Sequence, residues 1–388
     1  MHICVISEDY PYKDFSSFEF VKQLCVAWAD QGVTVSVIAP QSITKSAVRR
    51  LSVRPKVRTE TTENKNEIKV YSPYIVTMGN LGCRGILNNM LSRIRQKAIA
   101  SVIRGMKDKP DVIYGHFWHS AYDAYNVAKK ENIPLFVASG ECDIELHKRF
   151  NLATLQNFIS YVSGVICVST KNKKESIEAG LATEDKCIVI PNAINGSLFY
   201  KKDKCQLRRS FGFSENDFIV AFVGGFIPRK GPKRVAEAIV SLHDSQIKSI
   251  FIGRLLSADQ SQNPECPGIL FRGQVSHRKI SDYLNCADVF VMPTLREGCC
   301  NANIEAMACG LPVISSNMEF NYDILDESCS ILIDPMNIEE IARSISYLKS
   351  NPDRCQELSN NALKKAESLR IDIRAQRIIE YIVKNCNI

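Results

Sequence analysis

Two glutamates separated by seven residues mark the most chemically suggestive stretch of the chain. Glu297 and Glu305 flank Gly298, Cys299, Cys300 and Asn301 in REGCCNANIEAMACGLPVIS, residues 296–315. The apolar run DVFVMP precedes them, so Glu297 is expected in a loop beyond the carboxyl end of a strand. Glu305 is expected about one turn into a helix that Gly310 ends. N–H groups at the start of such a helix bind phosphate oxygens, and carboxylates accept hydrogen bonds from hydroxyls. A ligand carrying both phosphates and sugar hydroxyls suits the pair; capping or surface duty is the alternative for each glutamate.

A second set lies in VGGFIPRKG, residues 223–231. Gly224 and Gly225 let backbone N–H groups approach an anion, and Arg229 and Lys230 bring positive charge to the start of a helix expected near Pro232. A diphosphate would fit, and a plain surface turn is the alternative. The loop is neither a G-x-x-x-x-G-K-[ST] nor a G-x-G-x-x-G motif. In the first half, His116 and His119 follow the apolar segment 111–115, and Glu141 and Asp143 follow 134–138. All four are expected at carboxyl ends of strands, as ligand contacts, a proton relay or satisfied structural groups. His147, His243 and His277 read as surface or packing residues.

Short apolar segments rich in Val and Ile position these groups. HICVIS (2–7), VTVSVIA (33–39), DVIYG (111–115), PLFVA (134–138) and GVICV (164–168) read as buried strands, mostly separated by helix-length segments. The polar, turn-rich stretch 195–217 interrupts the pattern. It restarts with FIVAFVG (218–224), IKSIFIG (247–253), GILFRG (268–273), DVFVMP (288–293), LPVIS (311–315) and SILID (330–334). Two successive parallel α/β blocks follow. Ligands of such sheets bind beyond the carboxyl ends of the strands, which predicts a cleft with one wall from each block.

A chain of 388 residues is too long for one ordinary core, and its 45% hydrophobic and 23% charged content is that of a globular protein. No apolar run approaches the ~18 residues needed to cross a bilayer. The start, MHICVISEDY, has no basic region and reads as a strand rather than a signal peptide. The 15 cysteines include no C-x-x-C pair and no zinc spacing, so they read as small buried groups in a reducing cytoplasm. The net charge is +7, yet residues 45–109 alone hold 15 Lys and Arg against 4 Asp and Glu. Such a surface attracts anionic lipid or phosphate. Nucleic acid is not expected, because no binding motif accompanies the charge. Within the stretch, 78–106 mixes Leu, Ile and Met with Arg at helical spacing, either for a bilayer surface or as an ordinary helix on the sheet.

The 297–310 run resembles the E-x7-E signature of glycosyltransferase family 4, the retaining GT-B enzymes. Other segments resemble the family in order: VICVST (165–170), PNAINGSLF (191–199), GGFIPRKG (224–231) and FRGQVSHRKISDYLNCADVFVMPT (271–294). The resemblance implies two facing Rossmann-like domains, an acceptor domain over 1–196 and a nucleotide-sugar domain over 197–370, with 371–388 returning to the first. It implies sugar transfer from a UDP- or GDP-sugar to a saccharide or lipid-linked saccharide, with retention and no metal or other cofactor, by a cytoplasmic enzyme that can touch an anionic membrane. Carried across, Lys230 with Arg229 would neutralise the leaving diphosphate. Glu297 would hold the donor sugar with the N–H groups of Gly298, Cys299, Cys300 and Asn301, near Gly224 and Gly225. Glu305 would hold the ribose, and Gln274 and Val275 would flank the base. His116, His119, Glu141 and Asp143 would meet the acceptor.

Four places depart from the family pattern. Gly225 stands where an Arg is usual, the two-glutamate loop reads GCCNAN where many relatives read G-F-G-L, Ser16 and Ser17 lie near a usual glycine, and Ser139 replaces a common histidine. The rival expectations are a nucleotide-sugar epimerase of the same fold and a non-catalytic sugar- or lipid-binding relative.

Overall fold

Alternating apolar and helical segments build two separate cores. A computed structural model describes residues 1–13, 18–48, 52–77, 86–256 and 259–386, leaving aside the side chains of 45 and 86–89. The chain divides into two compact units, Met1–Ile190 with Ile371–Ile388, and Pro191–Arg370. The break comes before residue 196 because Ile194 already belongs to the second unit. Its N–H donates to Leu369 O at 2.9 Å, and it bridges Arg370.

The first unit contains β1 (His2–Ile6), β2 (Thr34–Ile38), β3 (Gln41–Ser42), β4 (Val57–Thr61) and β5 (Glu67–Tyr71). It continues with β6 (Tyr74–Ile75), β7 (Val112–His116), β8 (Leu135–Ser139), β9 (Val162–Cys167) and β10 (Cys187–Val189). Its main sheet has the order 10-9-8-7-1-2-5-4, and β3 pairs with β6 separately. All pairs are parallel except β4 with β5. Strands β7 and β8 are buried throughout, as strands covered on both faces must be. The helices are α1 (Glu19–Asp30), α2 (Ile43–Val48), α3 (Ile86–Gly105), α4 (Trp118–Glu131), α5 (Leu146–Arg149), α6 (Leu152–Tyr161) and α7 (Thr170–Glu178).

Successive residues of β1 serve opposite faces. Cys4 and Ile6 pack with Ala121 and Ala124 of α4, whereas Ile3 and Val5 pack with Trp28 of α1. The chain's last helix, Ile371–Cys386, joins this second face through Ala375, Ile378 and Ile382, and Trp28 Nε1 donates to Ala375 O at 3.1 Å. Gly115 lets α4 sit close to β7: a Cβ there would lie 2.4 Å from Ala121 Cα.

The segment between residues 41 and 75 carries strands that the sequence pattern does not announce. In β5 only Ile68 and Val70 are fully buried, while Glu67 and Lys69 are exposed and Tyr71 is half-buried. The basic run is also less free than its charge suggests. Arg54 is buried and pairs with Asp9, while its N and Nε both donate to Gln41 Oε1 at 2.8 Å. Arg58 pairs with Glu60 at 2.9 Å and Arg95 with Asp123 at 2.5 Å. Helix α3 buries Ile99 and Ile103 in the core beside α4. Arg49, Arg50, Ser16, Ser17 and 78–85 lie outside the described residues.

The second unit holds β11 (Phe218–Val223), β12 (Ile247–Ile252), β13 (Ile269–Gly273), β14 (Val289–Met292), β15 (Val313–Ser316) and β16 (Ser330–Ile333). Its helices are α8 (Lys204–Phe211), α9 (Pro232–Ser241), α10 (His277–Cys286), α11 (Asn301–Ala308), α12 (Ile338–Ser350) and α13 (Pro352–Glu367); α14 is Ile371–Cys386 of the first unit. The all-parallel order 13-12-11-14-15-16 is a doubly wound sheet. Its direction of winding reverses between β11 and β14. The loops leaving these two strands therefore stand side by side, and they are the two loops singled out in the sequence.

Candidate functional site

Backbone contacts lock the two loops of the second unit together. Leu295 N donates to Arg229 O at 2.8 Å, and Arg234 Nη2 donates to Pro293 O at 2.7 Å. Gly231 turns the chain into α9 with φ of 79°, and Pro232 then takes a first-turn position, where its missing N–H costs nothing. A Cβ at Gly231 would lie 2.5 Å from Arg234 Nη2 and 2.9 Å from Pro293 O, so the turn requires glycine twice over. Gly224 is equally close to its neighbour: a Cβ on Gly253 would meet Gly224 O at 1.9 Å.

Glu297 is the meeting point. Lys230 Nζ lies 2.5 Å from its Oε1, Arg229 Nη1 lies 2.8 Å from the same atom, and Thr294 Oγ1 donates to it at 2.8 Å. Arg229 Nη1 also donates to Arg296 O. Glu297 is 7% exposed. Burial alone would pull the Lys230 ammonium down; the Glu297 carboxylate reverses this, and the group is held above the ordinary lysine value. One carboxylate and two cations leave a net positive charge, which suits an anion. Arg229 thus brings charge to the loop in which Gly225 departs from the family pattern. At Gly225 itself a Cβ would crowd Leu256 Cδ1 at 2.6 Å.

A buried polar network fixes the loop that carries Glu297. Ser315 Oγ donates to Met292 O at 2.9 Å, and Ser316 Oγ donates to Thr294 O at 2.6 Å. Asn303 Nδ2 donates to Ser315 Oγ and Asn321 Oδ1, each at 3.1 Å, and Asn321 Nδ2 donates to Ser316 O at 2.7 Å. Cys299 and Cys300 are buried beside it, and burial pushes the Cys300 thiol up to about 11. It stays protonated at neutral pH and fills space rather than attacking.

Glu305 lies on α11, with Asn301 as that helix's first residue. Asn301 Oδ1 accepts from Asn192 Nδ2 at 2.8 Å. His277 extends the sequence reading. It packs against Phe199 as a packing residue would, but its Nε2 also meets Glu305 Oε1 at 3.1 Å. Gln274 is exposed and Val275 half-buried, just after β13. Thr294 and His277 are the two groups that sequence reasoning left without a role. Thr294 had a visible signal, lying three residues before Glu297 at a strand end; His277 had none, since its partner is 28 residues away.

The first unit places the other four candidates at the ends of β7 and β8. His116 closes β7, is buried, and neither ring nitrogen is hydrogen-bonded among the described residues. Its ring lies against Phe117 at 4.5 Å and Phe20 at 5.2 Å. Phe117 has φ of 75°, costly for a residue with a side chain and the kind of strain that collects at functional sites. His119 lies one turn on, its Nε2 buried and without a hydrogen-bond partner among the described residues. Burial, with help from Arg374, pushes His116 down to about 3; burial, with Arg149 and Arg95, pushes His119 down to about 4. Glu141 caps α4: Oε1 accepts from Trp118 N at 2.7 Å and Oε2 from Gly140 N at 3.0 Å. Burial raises its carboxyl to about 7. Asp143 lies half-buried two residues further on. Ser139 is fully buried, its Oγ accepting from Trp118 Nε1 at 3.1 Å. That position has a structural use here.

Two family models match the chain: "Glycosyl transferases group 1" over residues 203–365 and "Glycosyltransferase Family 4" over 19–197. A putative teichuronic acid biosynthesis glycosyltransferase, TuaC of Bacillus subtilis, is 26% identical over 329 residues, covering 81% of this chain and 80% of that protein. Among solved structures, sucrose-phosphate synthase from Thermosynechococcus elongatus matches with a TM-score of 0.77 at 19% identity, covering 99% of this chain and 98% of that one. HepE of Anabaena, in complex with UDP and glucose, matches with a TM-score of 0.71 at 17% identity, covering 99% of this chain and 100% of that one.

The shifted groups of the first unit give its stability a defined pH dependence. A histidine held below its ordinary 6.5 is neutral in the fold and takes up its proton on unfolding. Its contribution is complete above pH 6.5 and drains away as the pH falls towards the folded value. Glu141 acts oppositely: the fold keeps a proton that the unfolded chain releases above 4.5, so its contribution falls between pH 4.5 and about 7. In thermal unfolding between pH 4.5 and 6.5, His119→Gln is expected to flatten the rise of Tm with pH, and Glu141→Gln to steepen it. Profiles parallel to wild type would contradict these assignments.

Proposed function

The chain belongs to the group 1, family 4 glycosyltransferases of GT-B fold, and from that premise we propose that it moves a sugar from a UDP- or GDP-sugar to a saccharide or lipid-linked saccharide, with retention at the anomeric carbon. The observation that carries the reading is the convergence of Arg229 and Lys230 on one buried carboxylate oxygen, at the point where a doubly wound sheet binds its ligands. Teichuronic acid biosynthesis in the Bacillus subtilis relative's name supports a place in surface polysaccharide or glycolipid synthesis. The UDP and glucose complex of HepE supports a nucleotide-sugar donor.

In this reading negative charge builds on the diphosphate as the bond to the sugar breaks. Lys230 and Arg229 are already in place to take it up, and preorganised charge is the strongest device for lowering such a barrier. The acceptor hydroxyl attacks the anomeric carbon from the side the diphosphate leaves, and its proton passes to the leaving phosphate. Glu297, with the N–H groups at 298–301, orients the donor sugar. Glu305 holds the ribose, while Gln274 and Val275 flank the base and Gly224 and Gly225 admit the phosphates. On the first unit, His116 and His119, neutral at pH 7, stand with Glu141 and Asp143 on the acceptor side. No metal ion takes part.

Metal-free thermal shift against UDP, GDP and their sugars tests this reading. One nucleotide series is expected to stabilise the protein, with the shift reduced in Lys230→Ala and Glu305→Ala. Transfer by Lys230→Ala is expected to fall by roughly 10²–10³ in kcat. Stabilisation by no nucleotide, or undiminished transfer by Lys230→Ala, would overturn it.

Peripheral contact with an anionic membrane completes the proposal. Among the described residues no helix is long and apolar enough to cross a bilayer. Val48 (85% exposed), Val53, Val57, Tyr74, Val76 and Met90 are exposed within the same part of the sequence that holds the basic excess. Thr77 N donates to Thr44 Oγ1 at 3.2 Å and Tyr74 OH donates to Arg54 O at 2.9 Å, tying several of these segments together. Apolar side chains among Lys and Arg suit an anionic lipid surface. Cosedimentation with phosphatidylglycerol vesicles is expected, and is expected to drop in a Val48→Asp, Val76→Asp double variant. Equal binding to phosphatidylcholine vesicles, or none to either, would contradict the contact.

A further inference from the structure

We infer that His277 is a positioning residue of the nucleoside pocket, holding one oxygen of Glu305 so that the other is kept for the ribose hydroxyls. The inference rests on the donor reading above and adds a residue to it. His277 Nε2 and Glu305 Oε1 are 3.1 Å apart. A ring nitrogen facing a carboxylate carries the proton, so the imidazole donates. Oε2 of Glu305 accepts no hydrogen bond among the described residues. The carboxylate is therefore held at one oxygen and open at the other.

The ring is itself held. His277 is the first residue of α10, and the buried ring of Phe199 meets it edge-on with centroids 5.2 Å apart. Its side chain is 29% exposed and that of Glu305 only 12%, so the pair lies at the wall of the unit rather than out in solvent. Gln274 and Val275 lie in the short connection between β13 and α10. His277 thus stands between the segment proposed to flank the base and the carboxylate proposed to hold the sugar attached to it. A Glu side chain left free would have to give up rotamer freedom on each binding event; one fixed beforehand does not.

Calorimetric titration with UDP and GDP, and with their 2′,3′-dideoxy analogues, separates this role from a general one. His277→Ala is expected to weaken the bound ribonucleotide by about tenfold, the scale of one hydrogen bond to a charged group. His277→Gln keeps an N–H donor and is expected to recover to within about threefold. Neither variant is expected to alter binding of the dideoxy analogue, which has no hydroxyls for Glu305 to hold. Unchanged ribonucleotide binding by His277→Ala would overturn the assignment, as would an equal loss with the dideoxy analogue. Binding of neither nucleotide by the wild-type chain would overturn the donor reading and this assignment with it.

Discussion

Covering an ammonium group with protein tends to strip its proton, and a neutral lysine cannot stabilise a departing diphosphate. Lys230 is largely covered, so the proposed chemistry depends on whatever keeps it charged. Glu297, 2.5 Å away, supplies that. The same oxygen also engages Arg229, which prevents the carboxylate from merely cancelling Lys230. Two cations on one anion give a site that is desolvated, preorganised and still positive. This explains how a loop with glycine at 225 still brings two positive charges to the strand end.

The rest of the second unit serves that contact. The sheet order places β11 beside β14, so a basic loop and an acidic loop distant in sequence become neighbours. Gly231 admits the close passage of one loop past the other, and Thr294 adds a third donor to Glu297. Beneath them, Asn303, Asn321, Ser315 and Ser316 hydrogen-bond one another and the backbone that leads to Glu297. A buried network of this kind costs stability unless nearly satisfied, and its return is a loop with one geometry. The His277–Glu305 pair, proposed above to serve the nucleoside, is built separately, on α10 and α11.

Much of the fold was readable because the strands of both sheets are nearly continuous apolar runs, which is how parallel strands covered on both faces must look. The glutamate pair and the basic loop stood out less by residue type, which surface turns and caps share, than by their order along the chain and their resemblance to a family signature. What escaped had a physical reason in each case. Strands β4 and β5 form an antiparallel edge with only Ile68 and Val70 turned fully inward, and their charges masked the alternation. Arg54 counted towards a free basic surface, yet it closes a buried ion pair with Asp9, a partner 45 residues away. His277 looked like any surface histidine until the fold brought α10 against α11. Contacts made across elements leave no local periodicity, so no spacing rule could find them.

The most direct test of the central contact is to titrate Lys230 itself. NMR of selectively 13Cε-labelled lysine, with the signal assigned by its loss in Lys230→Arg, would follow the ammonium in the wild-type protein and in Glu297→Gln. The wild-type group is expected to titrate above the ordinary 10.5, and at a clearly lower pH once the carboxylate is gone, when burial and Arg229 oppose the charge and only Cys300 supports it. A Lys230 that titrates at the same pH in both proteins would contradict the claim that Glu297 keeps it charged.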